Sequence, residues 1–336
     1  MACVVAREYL RGPGVFVLQT LGVAACYYVA GRLGLLRGLV VEGSVVSPIW
    51  PPTGVALAAL LTFGLRCSLG IALGALFVVM SIATPQPQSV IVIAGQTAAP
   101  VCGYLLLRRQ RFKPDLARLR DSLALVFLGA FAAMLISSTT GAVLLLADGS
   151  LSPDRFWSVW LAWWAGDAMG VLIVTPLLLL LRRVHWPEHL SRWKEALLLA
   201  AVTAALVPVA THARSSMLFA IYPLLVWSAL RFQLAGSMLC ALYASVMATI
   251  AATDHTGPFA VLDQMDVMIN LLVFNGAAAL TALLLSSMIS EQQHLRRSVE
   301  RACQELVEVL EHLTAGETAS NRAPPEEDGR RRGEEL

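Results

Sequence analysis

The sequence predicts an all-α protein, a polytopic helical membrane bundle of 8–10 transmembrane helices. Three observations carry that prediction. Of the 336 residues, 57% are hydrophobic and 14% charged, with a mean hydropathy of +0.67, whereas soluble domains carry about 25% charged residues. The apolar residues fall in long blocks with the charges between them, as expected of chains that cross ~30 Å of hydrocarbon repeatedly. The basic residues are also unevenly divided between the two sets of loops. After the last block a coiled-coil exit helix and a disordered tail are expected.

Residues 1–14 carry Arg7 and Arg11 ahead of the first apolar run. That run, Val15 to about Leu36, is too long for a signal peptide's apolar region and many more follow, so it reads as a retained first helix. Further runs lie at about 48–64, 68–83, 89–107, 121–147, 157–181, 196–211, 217–232, 234–252 and 266–289. Several hold only 15–17 apolar residues, near the lower limit for a span. Ten segments cross if every run spans, and eight if one short pair is re-entrant or merged. Either count is even, so both ends lie on one side.

With the N-terminus inside, the inner loops collect fourteen basic residues, among them Arg66, Arg108, Arg109, Arg182 and Arg231. The outer loops hold four: Arg32, Arg37, Arg155 and Arg214. The positive-inside bias therefore places both termini in the cytoplasm. A net charge of +2 gives no sign of a nucleic-acid partner. The six cysteines show no CxxC spacing and no histidine at ligand distance, so neither a disulfide framework nor a metal site is implied, and no cofactor is expected.

One stretch carries chemistry. Trp160–Pro176 is a near-unbroken apolar run with a single carboxylate, Asp167. Insertion scales charge about 2.5–3.5 kcal/mol for an acid at a helix centre, so something must solvate, pair or protonate it. Gly166 and Gly170 flank it at close-packing spacing, and Trp163 and Trp164 crowd its N-terminal side. Such a residue is either a functional site or a buried hydrogen bond that pins two helices. Its own helix offers no partner; Arg231, His212 and the Trp50–Thr53 segment are the candidates. Trp50-Pro51-Pro52-Thr53-Gly54 breaks the outer start of the second run, and non-helical backbone at that depth must be buried in protein or line a wet cavity. Asn270, Asn275 and Gln96 are each most simply interhelical hydrogen bonds. No GxSxG, HExxH, P-loop or paired carboxylates occur, so no enzyme is expected.

Beyond the membrane, Leu295, Val299, Ala302, Leu306, Val309 and Leu313 step by 4, 3, 4, 3, 4, the a/d seam of a coiled coil. In register, Leu285 and Met288 extend it backwards. This reads as a cytoplasmic signalling helix over 291–313 and a homodimer contact through Met288–Leu313. From Thr314 onwards the Ala, Gly, Pro, Glu and Arg composition predicts disorder.

The segments WPPTGVALAALLTFGLR (50–66), WWAGDAMGVLIVTPLLLL (163–180), PLLVWSALRF (223–232) and GPF (257–259) together resemble the bacterial membrane-associated sensor domain of the first class, over roughly residues 15–290. The resemblance implies a multi-span sensory module in the inner membrane, ahead of a cytoplasmic output domain such as a kinase or cyclase. It carries over as matching positions Trp50, Pro51, Pro52, Gly54, Gly166, Asp167, Gly170, Pro176, Arg231, Gly257 and Pro258. After the exit helix only a tail is expected, with no output domain, which leaves three readings: a stand-alone sensor that works through a separate cytoplasmic partner, a partner-recruiting membrane scaffold, or a truncated product. The expected function is a sensor of a periplasmic or membrane-borne cue, bound in a cavity lined by Trp50–Gly54, Trp163–Asp167 and the 253–265 loop. The alternative is a proton-coupled small-molecule transporter built on the same acid.

Overall fold

The computed structural model describes residues 13–41, 44–82, 84, 86–182, 193–213 and 217–320. The helices are α1 (Pro13–Leu35), α2 (Pro51–Phe63), α3 (Ser68–Ile82), α4 (Ser89–Arg109), α5 (Leu119–Ala147), α6 (Phe156–Leu181), α7 (Trp193–His212), α8 (Ile221–Thr253) and α9 (Gln264–Ser320). Eight of them are long and apolar enough to cross a membrane. Many large apolar side chains on their outer faces, such as Leu18, Phe77 and Val90, are exposed. A polytopic helical bundle solvated by lipid is the arrangement that satisfies both facts.

The short runs behave in a way their composition does not announce. At 13 residues, α2 is only about 20 Å long, yet Pro52 to Leu60 are buried almost without interruption. It is a core helix enclosed by longer ones, lying along α1 and α6. The runs at 217–232 and 234–252 fall in one element, α8, on either side of Gln233, whose φ of 52° and ψ of −142° break the helix. The leg before Gln233 is about as short as α2. The choice between eight and ten segments therefore turns on these two short pieces.

Two local features were not anticipated. A two-stranded antiparallel hairpin, β1 (Leu39–Val41) with β2 (Ser44–Val46), pairs Leu39 with Val46 between α1 and α2. Its Leu39 and Val46 join the main apolar core. Within α5, Leu125–Ala132 is π-helical, with ordinary α-helix on both sides.

α6 is the most deeply buried of the candidate spans. It packs on α2, α5 and α8, so the acid-bearing helix stands at the centre of the bundle. Residues from Glu291 form a compact unit of their own. There α9 continues as helix to Ser320, seven residues past the end of the seam. Leu295, Val299 and Leu306 of the seam are exposed, while the side chains of Val309 and Leu313 lie outside the described set, as do residues 321–336.

Candidate functional site

The Trp50–Gly54 segment sits directly on the glycine face of α6. The backbone N–H of Trp50 donates to the Gly166 carbonyl at 2.8 Å. A Cβ at Gly166 would overlap the Ser47 carbonyl, one at Gly170 the Trp50 carbonyl, and one at Gly54 the Gly170 carbonyl. Only glycine lets the two backbones approach this closely. Two threonines complete the seam. The Thr53 hydroxyl lies 2.8 Å from the Trp50 carbonyl and 2.9 Å from that of Asp167, and the Thr175 hydroxyl donates to the Gly54 carbonyl at 3.1 Å. Pro51 and Pro52 start α2, where a missing backbone N–H leaves no intrahelical bond unmade. Thus the WPPTG and GDxxG segments describe one interface, with Pro176 following Thr175 on the buried side of α6.

Asp167 is fully buried behind that seam. The Ser137 hydroxyl of α5 donates to its Oδ2. Its Oδ1 has no hydrogen-bond partner among the described residues. The Tyr27 hydroxyl of α1 lies within electrostatic range of the carboxyl group and has the Trp50 indole beside it. Tyr27 itself donates to Gln96 Oε1 of α4 at 3.3 Å. Asp167 is thus held from two other helices, its carboxyl group by Ser137 of α5 and its backbone carbonyl by Thr53 of α2, with Tyr27 of α1 within electrostatic range. Chemically, the group accepts from Ser137 when ionised, donates to it when protonated, and keeps one oxygen for another donor.

In front of this cluster lies a cavity of about 230 Å³. Trp50, Trp163 and Gly166 line it together with Tyr27 and Leu35 of α1; Val45 and Val46 of the hairpin and the adjoining Ser47; Ala75, Val78, Val79 and Ile82 of α3; and Val92, Ile93 and Gln96 of α4. Ser47 fixes the hairpin's exit by reaching the Gly34 carbonyl at 2.9 Å and the Ile49 carbonyl. The Trp163 ring lies against Gly141 of α5, where a side chain would displace it.

Other expected members lie elsewhere. Trp164 turns to α5, donating to the Phe131 carbonyl of the π-helical segment at 2.8 Å and stacking on Trp160. Arg231 pairs with Glu195 of α7 at 3.6 Å rather than with Asp167, since both side chains are about half exposed at the bundle's edge. His212 bonds its own helix through the Pro208 carbonyl. Gly257 and Pro258 begin a short 3₁₀ turn that is not part of the cavity wall. Gly257 has a φ of 58° and meets the Thr211 carbonyl, while Phe259 is buried beneath it. That turn anchors the 253–265 loop on the end of α7, and Arg37 ties the same region to Asp254 at 2.6 Å.

Tyr27 and Ser137 were missed by sequence reasoning. A tyrosine in a first span and a serine among apolar residues are common, and only the fold brings them to Asp167. Of the three uncharged polar residues, Gln96 does bond across helices. Asn270 bonds the Asp266 carbonyl of its own helix, and Asn275 is buried with neither amide atom partnered among the described residues. No group of three or more potential metal ligands occurs among the described residues.

The fold and this glycine-seated acid define an integral, multi-pass membrane domain. A family model, MASE1, matches residues 19–293, and the chain belongs to the MASE1 family, the membrane sensory domains of signalling proteins. No curated protein and no solved structure matches.

Proposed function

We propose that this chain is a non-enzymatic sensor of the bacterial inner membrane, with both termini in the cytoplasm. A periplasmic or membrane-borne cue occupies the Trp50–Trp163–Gln96 cavity, and occupancy is passed through α9 to a partner. The observation that carries this reading is the position of the cavity. It abuts the one seam, Trp50–Gly54 on Gly166–Gly170, that joins the central helix α6 to α2. A ligand shifts such a bundle only by preferring one of two packings. A wall shared with the tightest backbone contact is where a small displacement repacks α6.

Output is assigned to the exit helix. Leu295, Val299 and Leu306 form an exposed apolar stripe at a/d spacing, which matches a parallel homodimer seam, and a separate kinase or cyclase would read its state. The test uses full-length protein in lipid nanodiscs carrying Leu295→Cys in a Cys303→Ser background. Disulfide crosslinking between copies is the expected result, and a chain that stays monomeric would remove the dimer from the account. Proton-coupled transport is the competing reading, favoured by the unpartnered oxygen of Asp167. Proton flux in proteoliposomes that is lost in Asp167→Asn would replace the sensor with a transporter.

A further inference from the structure

We infer that the cavity takes a small uncharged molecule, largely apolar, that carries one hydrogen-bond acceptor such as a carbonyl oxygen. This rests on the sensor reading of the same cavity and adds the chemical class of its ligand.

Among the described residues, no lysine, arginine, aspartate or glutamate lines the cavity. A charged ligand would give up its hydration with no counter-charge on the wall, which apolar surroundings penalise heavily. The wall is mostly valine, isoleucine, leucine and tryptophan, so it suits an aliphatic or ring-bearing body. Its polar groups are asymmetric. Gln96 gives its carbonyl to the Tyr27 hydroxyl, and its amide N–H groups make no bond among the described residues. The single hydroxyl proton of Ser47 is already shared between two backbone carbonyls. The free donors facing a ligand are therefore the Gln96 amide N–H groups, and an acceptor on the ligand meets them. The floor, at Tyr27, Val46 and Gln96, is buried, whereas Val45 and Ile82 are 64% and 59% exposed. The cavity thus opens along an apolar edge beside the hairpin and the end of α3, and entry from lipid fits a ligand that partitions into membranes.

Engagement of Gln96 also has a route inward. Tyr27 holds the Gln96 carbonyl and lies within electrostatic range of Asp167. A ligand that reorients the Gln96 amide releases the Tyr27 hydroxyl from that bond and so alters the polar surroundings of the residue seated at the α2–α6 seam.

The test compares four seven-carbon probes of matched length: heptan-2-one, heptanoate, heptylamine and heptane. The full chain, labelled with 5-fluorotryptophan in nanodiscs, is followed by fluorine NMR, with the Trp50 and Trp163 resonances assigned by their loss in Trp→Phe variants. Heptan-2-one is expected to shift both resonances saturably and to bind about tenfold more tightly than heptane, the scale of one buried hydrogen bond. Gln96→Met should erase that preference, and Tyr27→Phe, which leaves the amide donors in place, should retain it. Unchanged Trp157 and Trp193 resonances show that each variant is folded. Tighter binding of either charged probe, a preference that survives Gln96→Met, or no saturable shift with any probe would overturn the inference. The sensor reading fails separately: ketone binding with no response of the exit helix would contradict the sensor and leave the ligand class intact.

Discussion

At the residue scale, the chemistry of this chain is concentrated in the contact between Gly166-Asp167 and Trp50-Pro51-Pro52-Thr53-Gly54. Asp167 was legible as exceptional because a carboxylate in an apolar run is costly wherever it sits. The Trp50 segment was legible as its neighbour because broken backbone needs burial. Ser137 and Tyr27 were not, since a hydroxyl is tolerated in any span and its partner is a matter of rotation and depth. Two outcomes follow. Gly170→Val, which drives a side chain into the Trp50 carbonyl, should lower stability in detergent by about 1–3 kcal/mol or more, as overpacking does. Thr203→Val, at a weakly bonded site between α7 and α8, should change it little by comparison. Ser137→Ala leaves a buried carboxyl group without the hydroxyl that reaches Oδ2, and a loss of about 1–3 kcal/mol is expected on titration with a denaturing detergent. Asp167→Asn should retain most of the stability, because an amide still bonds Ser137.

At the element scale, the ten apolar runs anticipated the helices well, since blocks of apolar residues between charged loops leave little else for a backbone in lipid to do. What composition could not convey was connection and enclosure. The break at Gln233 is a single unusual backbone conformation inside α8, and the burial of α2 follows from its neighbours rather than from its own residues. The hairpin 39–46 gave too short a β-branched pattern to stand out, yet it supplies one wall of the cavity. For the exit helix, the seam makes a sharp distinction between adjacent exposed residues. Leu306→Glu should abolish crosslinking at position 295, and Val307→Glu, one residue off the seam and 55% exposed, should not. Equal effects of the two would mean that the helix is apolar without being paired through a/d positions.

At the scale of the whole molecule, the central helix of the bundle, α6, is held by backbone contact on one side and by packed side chains on the others. The polytopic fold agrees with what the hydropathy pattern predicts, and the family assignment with the resemblance carried by the WPPTG and WWAGD segments. Orientation rests on fourteen inner against four outer basic residues, so a membrane-impermeant thiol reagent should label Cys303, which is exposed, only from the cytoplasmic side of oriented vesicles. The central claim, that filling the cavity changes the exit helix, can be tested before any natural ligand is known. Ala75 is buried and lines the cavity, so Ala75→Phe places a permanent occupant there. The decisive measurement is crosslinking at Leu295→Cys in full-length protein, with and without Ala75→Phe. A changed extent of crosslinking, alongside shifted Trp50 and Trp163 resonances, is the result predicted. Unchanged crosslinking in a folded variant whose tryptophan resonances show the cavity filled would contradict it.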